Sequence, residues 1–174
     1  MKHILITSAK LLTFLIGIYS ANIAADNEEY RGFNPPPIDL IEAARLSSVQ
    51  CAALNLYKES RSESSIANLM VMSVLLNRID DHRFPNEACE VVFQHKQFSW
   101  TIDLIYKEVK NVEQWQRLYK IAEYAFMNKE LVQEMSQGAT HYHAVSVTPY
   151  WVDGNMKRVA RVDKHIFYRW EGKK

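Results

Sequence analysis

Glu59 and Glu63 stand four residues apart in "ESRSE", with Arg61 between them, where one apolar segment ends and another begins. Carboxyl groups do acid–base work when burial raises the pKa of one of them. Glu59 follows Leu56 by three residues and Ala52 by seven, so on a continued helix it shares their apolar face and is partly desolvated at the helix end. The same spacing also fits a helix C-terminus and a capping turn. In that case both glutamates are solvated, Arg61 is their ion-pair partner, and the pairs are worth only tenths of a kcal/mol.

A second cluster lies in "GATHYHA", residues 138 to 144. On a strand His141 and His143 point to the same side, and His165 in "DKHIFYRW" can join them from a neighbouring strand. Three imidazoles on one face can hold zinc, with Glu59 or Glu63 as a base toward bound water. No HExxH pairing and no acidic partner for the histidines accompany them, so no metal is assigned. The plainer alternative makes one histidine a structural hydrogen bonder and lets the others line a sugar-sized groove. Tyr142, Tyr150, Trp151, Phe167, Tyr168 and Trp170 crowd the same region. Alternate ones must pack inward, and the outward ones can stack on pyranose faces, as can Phe98 and Trp100 after Gln97. Ser99 and Thr101 sit in no nucleophile-elbow pattern.

These side chains need elements to place them. Val49, Ala52, Ala53, Leu56 and Tyr57 recur at helical spacing and predict a helix running to Lys58 or Glu59. Ser64 is positioned to cap "SIANLMVMSVLLNRI", which is apolar on most sides apart from Asn68, Ser73 and Asn77 and reads as the central buried helix ending at Ile79. A loop with a short helix from Ala88 to Phe93 follows. Asn111 then caps an amphipathic helix with Val112, Trp115, Leu118, Tyr119, Ala122, Ala125 and Phe126 on one face. After Gly138, "ATHYHAVSVTPYWV" and "KRVARVDKHIFYRW" are rich in β-branched and aromatic residues and predict a small antiparallel sheet. The fold class is α+β, a compact helical body followed by strands.

The N-terminal 25 residues carry Lys2 and Lys10, an apolar run from Leu11 to Tyr19 and small residues up to Ala25. That pattern predicts a cleaved export signal, with a releasable membrane anchor as the alternative, because the apolar stretch is short for a spanning helix. Residues 26–45, with three consecutive prolines ending at Pro37, read as an extended leader, and 46–170 as one domain. The formal charge of +1 gives no case for nucleic acid as a partner. Two cysteines, Cys51 and Cys89, can pair in an oxidising compartment or remain separate buried thiols.

Taken in order, "LNLYKESRSESSIANLMVMSVLLNRI", "RFPNEACEVVFQHKQFSW", "GATHYHAVSVTPYW" and "HIFYR" resemble the successive motifs of the SleB/CwlJ-type cell wall hydrolases, which include spore cortex-lytic enzymes and phage proteins, across about residues 49–169. The resemblance implies a lysozyme-like fold acting on peptidoglycan glycan strands without a cofactor. It implies a catalytic acid at Glu59, the first glutamate of an "EARGE"-like motif, and a supporting or second carboxylate at Glu63. Gln97, His141, Tyr142 and His143 are the expected substrate-binding residues. The reaction it points to is lytic transglycosylation of the MurNAc–GlcNAc bond by an exported, monomeric enzyme of the periplasm or cell wall. Two alternatives are a zinc amidase built on His141, His143 and His165, and a wall-binding module without turnover. The sequence departs from the family pattern at Ser62, where glycine is usual, and at "DKH" (163–165), where "GNH" is usual.

Overall fold

The computed structural model describes residues 46–95, 97–101, 109–152 and 154–172. The expected export signal or anchor (1–25) and leader (26–45) lie outside the described residues.

Helix α1, Ser48–Glu59, starts at a capping box. Ser47 Oγ accepts from the Gln50 N–H at 3.3 Å, and Gln50 Oε1 accepts from the Ser47 N–H at 2.8 Å. Seven consecutive residues, Cys51 to Tyr57, are buried, so packing on all sides holds α1 rather than one amphipathic stripe. Helix α2, Ser65–Ile79, is capped by Ser64, whose Oγ accepts from the Ala67 N–H at 3.2 Å. It touches α1, every other helix named below and strands β1 and β2, which makes it the central element that its apolar sequence predicts. The short helix α3, Ala88–Phe93, is joined to α1 by a disulfide between Cys51 and Cys89, with Cα atoms 5.2 Å apart. The two cysteines therefore pair.

Helix α4, Val112–Met127, begins at the Asn111 cap and lays Trp115, Leu118, Ile121, Ala122 and Ala125 against α1 and α2. Leu118 has no exposed surface, so Leu118→Ala would cost ~2–5 kcal/mol. A further helix, α5, Lys129–Met135, packs on α2 and has no counterpart in the sequence reading. Asn128 separates α5 from α4, its side-chain amide donating to the Tyr124 carbonyl at 2.9 Å.

The sheet has three antiparallel strands in the order β1-β3-β2: β1 His141–Ala144, β2 Met156–Val162 and β3 His165–Trp170. Of the first strand segment expected from sequence, only 141–144 is strand, and 145–152 makes turns. β2 and β3 form a hairpin whose turn places Asp163 at φ 46°, a left-handed conformation that aspartate tolerates better than most residues. Partners across the ladder share a face. Tyr142, His165 and Phe167 lie on one face, with Phe167 fully buried, and His141, His143, Ile166 and Tyr168 lie on the other. Among the described residues, no helix is long and apolar enough to cross a membrane.

Candidate active site

Glu59 is the last residue of α1 and is half-buried. The chain leaves the helix through a loop fixed from inside by Ser60 and Asn68, which expose 1% and 0% of their surface. Ser60 Oγ donates to Asn68 Oδ1 at 3.0 Å. Asn68 Nδ2 donates to the carbonyls of Glu63 at 3.2 Å and Ser64 at 2.6 Å. Asn68, a polar exception on an apolar helix, thus ties down the segment after the candidate acid. Ser62 is not among the described residues with positive φ, so this turn makes no demand that only glycine could meet.

Burial drives the Glu59 pKa up, by disfavouring the charged form. The Trp100 indole, the Tyr142 hydroxyl and the charge of Arg78, each of which favours the carboxylate, oppose that rise without cancelling it. Tyr142 lies on the sheet face turned to the helices, and burial, then Glu59, push its phenol well above its usual range, so it stays protonated and can donate. Its hydroxyl meets no partner at full hydrogen-bond geometry, although Asn55, one helical turn before Glu59, acts on it too. No second carboxylate among the described residues acts on Glu59.

Arg78 was not singled out by sequence reasoning, yet it holds the walls of this site together. It exposes 3% of its surface. Its Nε donates to the Thr140 carbonyl at 2.7 Å, just before β1. With the Gln97 carboxamide oriented so that its oxygen faces the guanidinium, it accepts from Nη1 at 2.9 Å and from Nη2 at 3.1 Å. The guanidinium also lies 5.2 Å from the Phe84 ring centre and 5.9 Å from that of Phe98, which stacks on Trp100 at 6.0 Å. Burial lowers the Arg78 pKa to about 10, which leaves it charged at neutral pH. The signal in the sequence was a lone cation at the end of an apolar helix, a pattern that helix-dipole considerations also produce.

The other expected site residues are distributed as follows. Gln97 is placed on Arg78. Glu63 is engaged at the β2–β3 turn, where its carboxylate meets Lys164 Nζ at 3.0 Å and accepts from the Lys164 N–H at 3.3 Å. Arg61 pairs with neither glutamate. It is exposed, stands 5.3 Å from the Tyr57 ring centre and donates to the Tyr57 carbonyl at 3.3 Å. His143 is buried with both ring nitrogens engaged, Nδ1 with the Ala144 carbonyl at 2.8 Å and Nε2 with the Tyr168 hydroxyl at 3.1 Å. His141, half-buried between Phe84 and Trp151, has its pKa lowered to about 4 by burial and then by Arg78 and Arg83, so it is neutral near pH 7. His165 does not join the other two. It lies on the opposite sheet face, against Tyr142, so the expected convergence of three imidazoles does not form. Among the described residues no other group of three metal-binding side chains replaces it.

A family model described as Cell Wall Hydrolase matches residues 62–168, beginning in the loop that follows Glu59. The spore cortex-lytic enzyme of Halalkalibacterium halodurans is 26% identical over 122 residues, covering 70% of this chain and 34% of that protein, so the chain spans about a third of that relative's length. The catalytic domain of the germination-specific lytic transglycosylase SleB from Bacillus anthracis superposes with a TM-score of 0.55 at 23% identity, over 80% of this chain and 98% of that one. The catalytic domain of the Bacillus cereus SleB protein gives 0.53 at 24% identity, over 70% and 89%. These two likenesses establish the fold.

Proposed function

We propose that this chain, which belongs to the cell wall hydrolase family, cleaves the glycosidic bond between N-acetylmuramic acid and N-acetylglucosamine in peptidoglycan as a lytic transglycosylase, with Glu59 as its single acid and base. The observation that carries the reading is Glu59 itself. Its carboxyl is held toward the protonated form by burial, under the influence of the Trp100 indole and the Tyr142 hydroxyl and with no second carboxylate acting on it among the described residues. Ordinary glycosidases need a second carboxylate for water or for a covalent intermediate. A transglycosylase does not.

In the first step the Glu59 carboxyl gives its proton to the glycosidic oxygen and the bond from that oxygen to C1 of the muramic acid breaks. The departing saccharide leaves with a free 4-hydroxyl. The carboxylate then accepts the proton of the 6-hydroxyl while O6 bonds to C1, closing a 1,6-anhydro ring and regenerating the acid. Atoms balance without water. Tyr142 and Trp100 fit both halves of this cycle, because donors that strengthen on a charged acceptor favour the carboxylate formed midway. Arg78 and Gln97 are positioning residues, and His143 holds Tyr168 and β3. His141 is a neutral ring on the sheet face opposite Tyr142, between Phe84 and Trp151.

Mass spectrometry of muropeptides released from purified sacculi tests the reading. The wild type should yield anhydro products and Glu59→Gln none. Hydrated reducing ends as the main product would replace it with hydrolysis. A zinc-dependent release of free peptides would replace it with the amidase reading.

A further inference from the structure

The edge strand β2 carries an irregularity that changes what its outer surface presents. Its register with β3 runs Arg158 to Tyr168 and then Ala160 to Phe167, so Val159 is an extra residue in the ladder. In a regular strand, residues three apart point to opposite faces. The bulge restores the phase. Arg158 pairs with Tyr168 and Arg161 with Ile166, which places both arginines on the sheet face away from the buried Phe167. Both are exposed, and neither has an ion pair among the described residues.

The surrounding charge is lopsided. Residues 156–172 hold five basic and two acidic side chains, against sixteen basic and eighteen acidic in the rest of the chain. Lys164 and Arg169 of that group are engaged with Glu63 and Glu171. The free positive charge is therefore concentrated in Arg158 and Arg161 on the outer face and Lys157, which is paired with Arg169 and faces the other way.

We infer that the outer face of β2 is a docking surface for the carboxylates of peptidoglycan peptide side chains, gripped by Arg158 and Arg161. This rests on peptidoglycan being the substrate. Two guanidinium groups on one face, roughly two strand steps apart, offer planar forks that match carboxylates bidentately. A cross-linked mesh presents carboxylates on every side of an enzyme working within it, so a face turned from the acid can hold the enzyme on its substrate between turnovers. Charges on edge strands also prevent sheets from pairing edge to edge, a task that any basic residue performs. Lysine replacement separates the two roles.

The test uses the full chain carrying Glu59→Gln, so that binding is read without cleavage, and sacculi stripped of phosphate-bearing polymers. Half of these are further treated so that their carboxyl groups are converted to neutral amides. Arg158→Gln with Arg161→Gln should weaken binding to the stripped sacculi about tenfold at low salt, an effect lost near 1 M salt. The two lysine replacements should weaken it less. Amidated sacculi should bind all three proteins equally poorly. In the Glu59-containing protein, the double glutamine variant should keep its rate on a soluble, peptide-free glycan and lose rate on sacculi. Binding like the parent, an arginine dependence that survives amidation, or one seen only when phosphate polymers are left in place would each overturn the docking surface. Failure of the Glu59-containing protein to release any fragment would sink the proposed reaction instead, and the binding series would still decide the docking.

Discussion

Removing the Cys51–Cys89 bridge perturbs the fold at a point whose cost the structure lets us calculate. The bridge closes a 38-residue separation, and in the chain-entropy model a loop of that size restrains the unfolded chain by about 4 kcal/mol. For a domain of this size that corresponds to a fall in melting temperature on the order of 10–20 °C. The consequence reaches the site, because Cys51 lies two turns before Glu59 on α1 and α3 leads into the segment that carries Gln97 and Trp100. Cys51→Ser with Cys89→Ser, and separately the wild type reduced by thiol, should be melted by circular dichroism beside the oxidised protein, with thiols counted by mass spectrometry after alkylation. Oxidised protein should show no free thiol, and both perturbed forms should melt lower by similar amounts and lose activity before the oxidised form does. A serine variant melting within 2 or 3 °C of the wild type, which is roughly 1 kcal/mol or less, would refute the reasoning.

Four further outcomes follow. Glu59→Gln should stabilise the protein at pH 7. The folded pKa lies above 4.5, so ionised Glu59 burdens the fold at neutral pH, and the melting difference should vanish as pH falls below that value. The alkaline limb of the rate profile, set by loss of the Glu59 proton, should move to higher pH in Tyr142→Phe and Arg78→Gln, because each removes an influence that lowers the Glu59 pKa; an unmoved limb in both would separate them from the acid. As pH falls from 6.5 toward about 4 the unfolded chain binds a proton at His141 that the buried ring of the folded chain refuses, so stability is lost over that window; in urea titrations the stability difference between wild type and His141→Gln should shift in the variant's favour as pH falls from 7 to 4, and a pH-independent difference would refute this. Asp163→Gly frees the left-handed turn but loses the carboxylate that accepts from the Ser64 N–H at 2.8 Å, so it should leave stability nearly unchanged, whereas Asp163→Ala loses both and should melt lower.

Periodicity made the helices legible. The caps at Ser64 and Asn111 and the ends of α1 and α2 agree with the sequence reading because each rests on a local rule, a side-chain oxygen meeting an orphan N–H. Helix α5 was hidden because only Val132 of its seven residues is buried, so no apolar stripe announces it. The half-burial of Glu59 was one of the two outcomes that its place after Ala52 and Leu56 allowed. What surrounds it was not legible. Arg78, Trp100 and Tyr142 reach it through tertiary packing, and no spacing rule connects residues from a central helix, a 3₁₀ turn and a strand. The three histidines misled for a related reason. Strand parity places His141 with His143, but the face of His165 depends on the register between β1 and β3, which a single sequence does not contain.

The two departures from the family motif meet at one place. Ser62 lies in the loop after Glu59, and Asp163 and Lys164 form the hairpin turn that closes over that loop. Asp163 occupies the left-handed position that glycine would fill most easily, and the strain of a non-glycine residue there is offset by its bond to the Ser64 N–H at the start of α2. Lys164 meets Glu63, whose side chain is only 7% exposed. A glycine at 163 and an asparagine at 164 would supply neither the carboxylate on the Ser64 N–H nor the ammonium on Glu63. The hairpin therefore compensates for its own backbone cost by clasping the segment that fixes where α1 ends, and where α1 ends decides where the Glu59 carboxyl points. On this account Glu63 acts on the chemistry at one remove. It holds the turn that packs on the segment after Glu59, the acid of the proposed reaction.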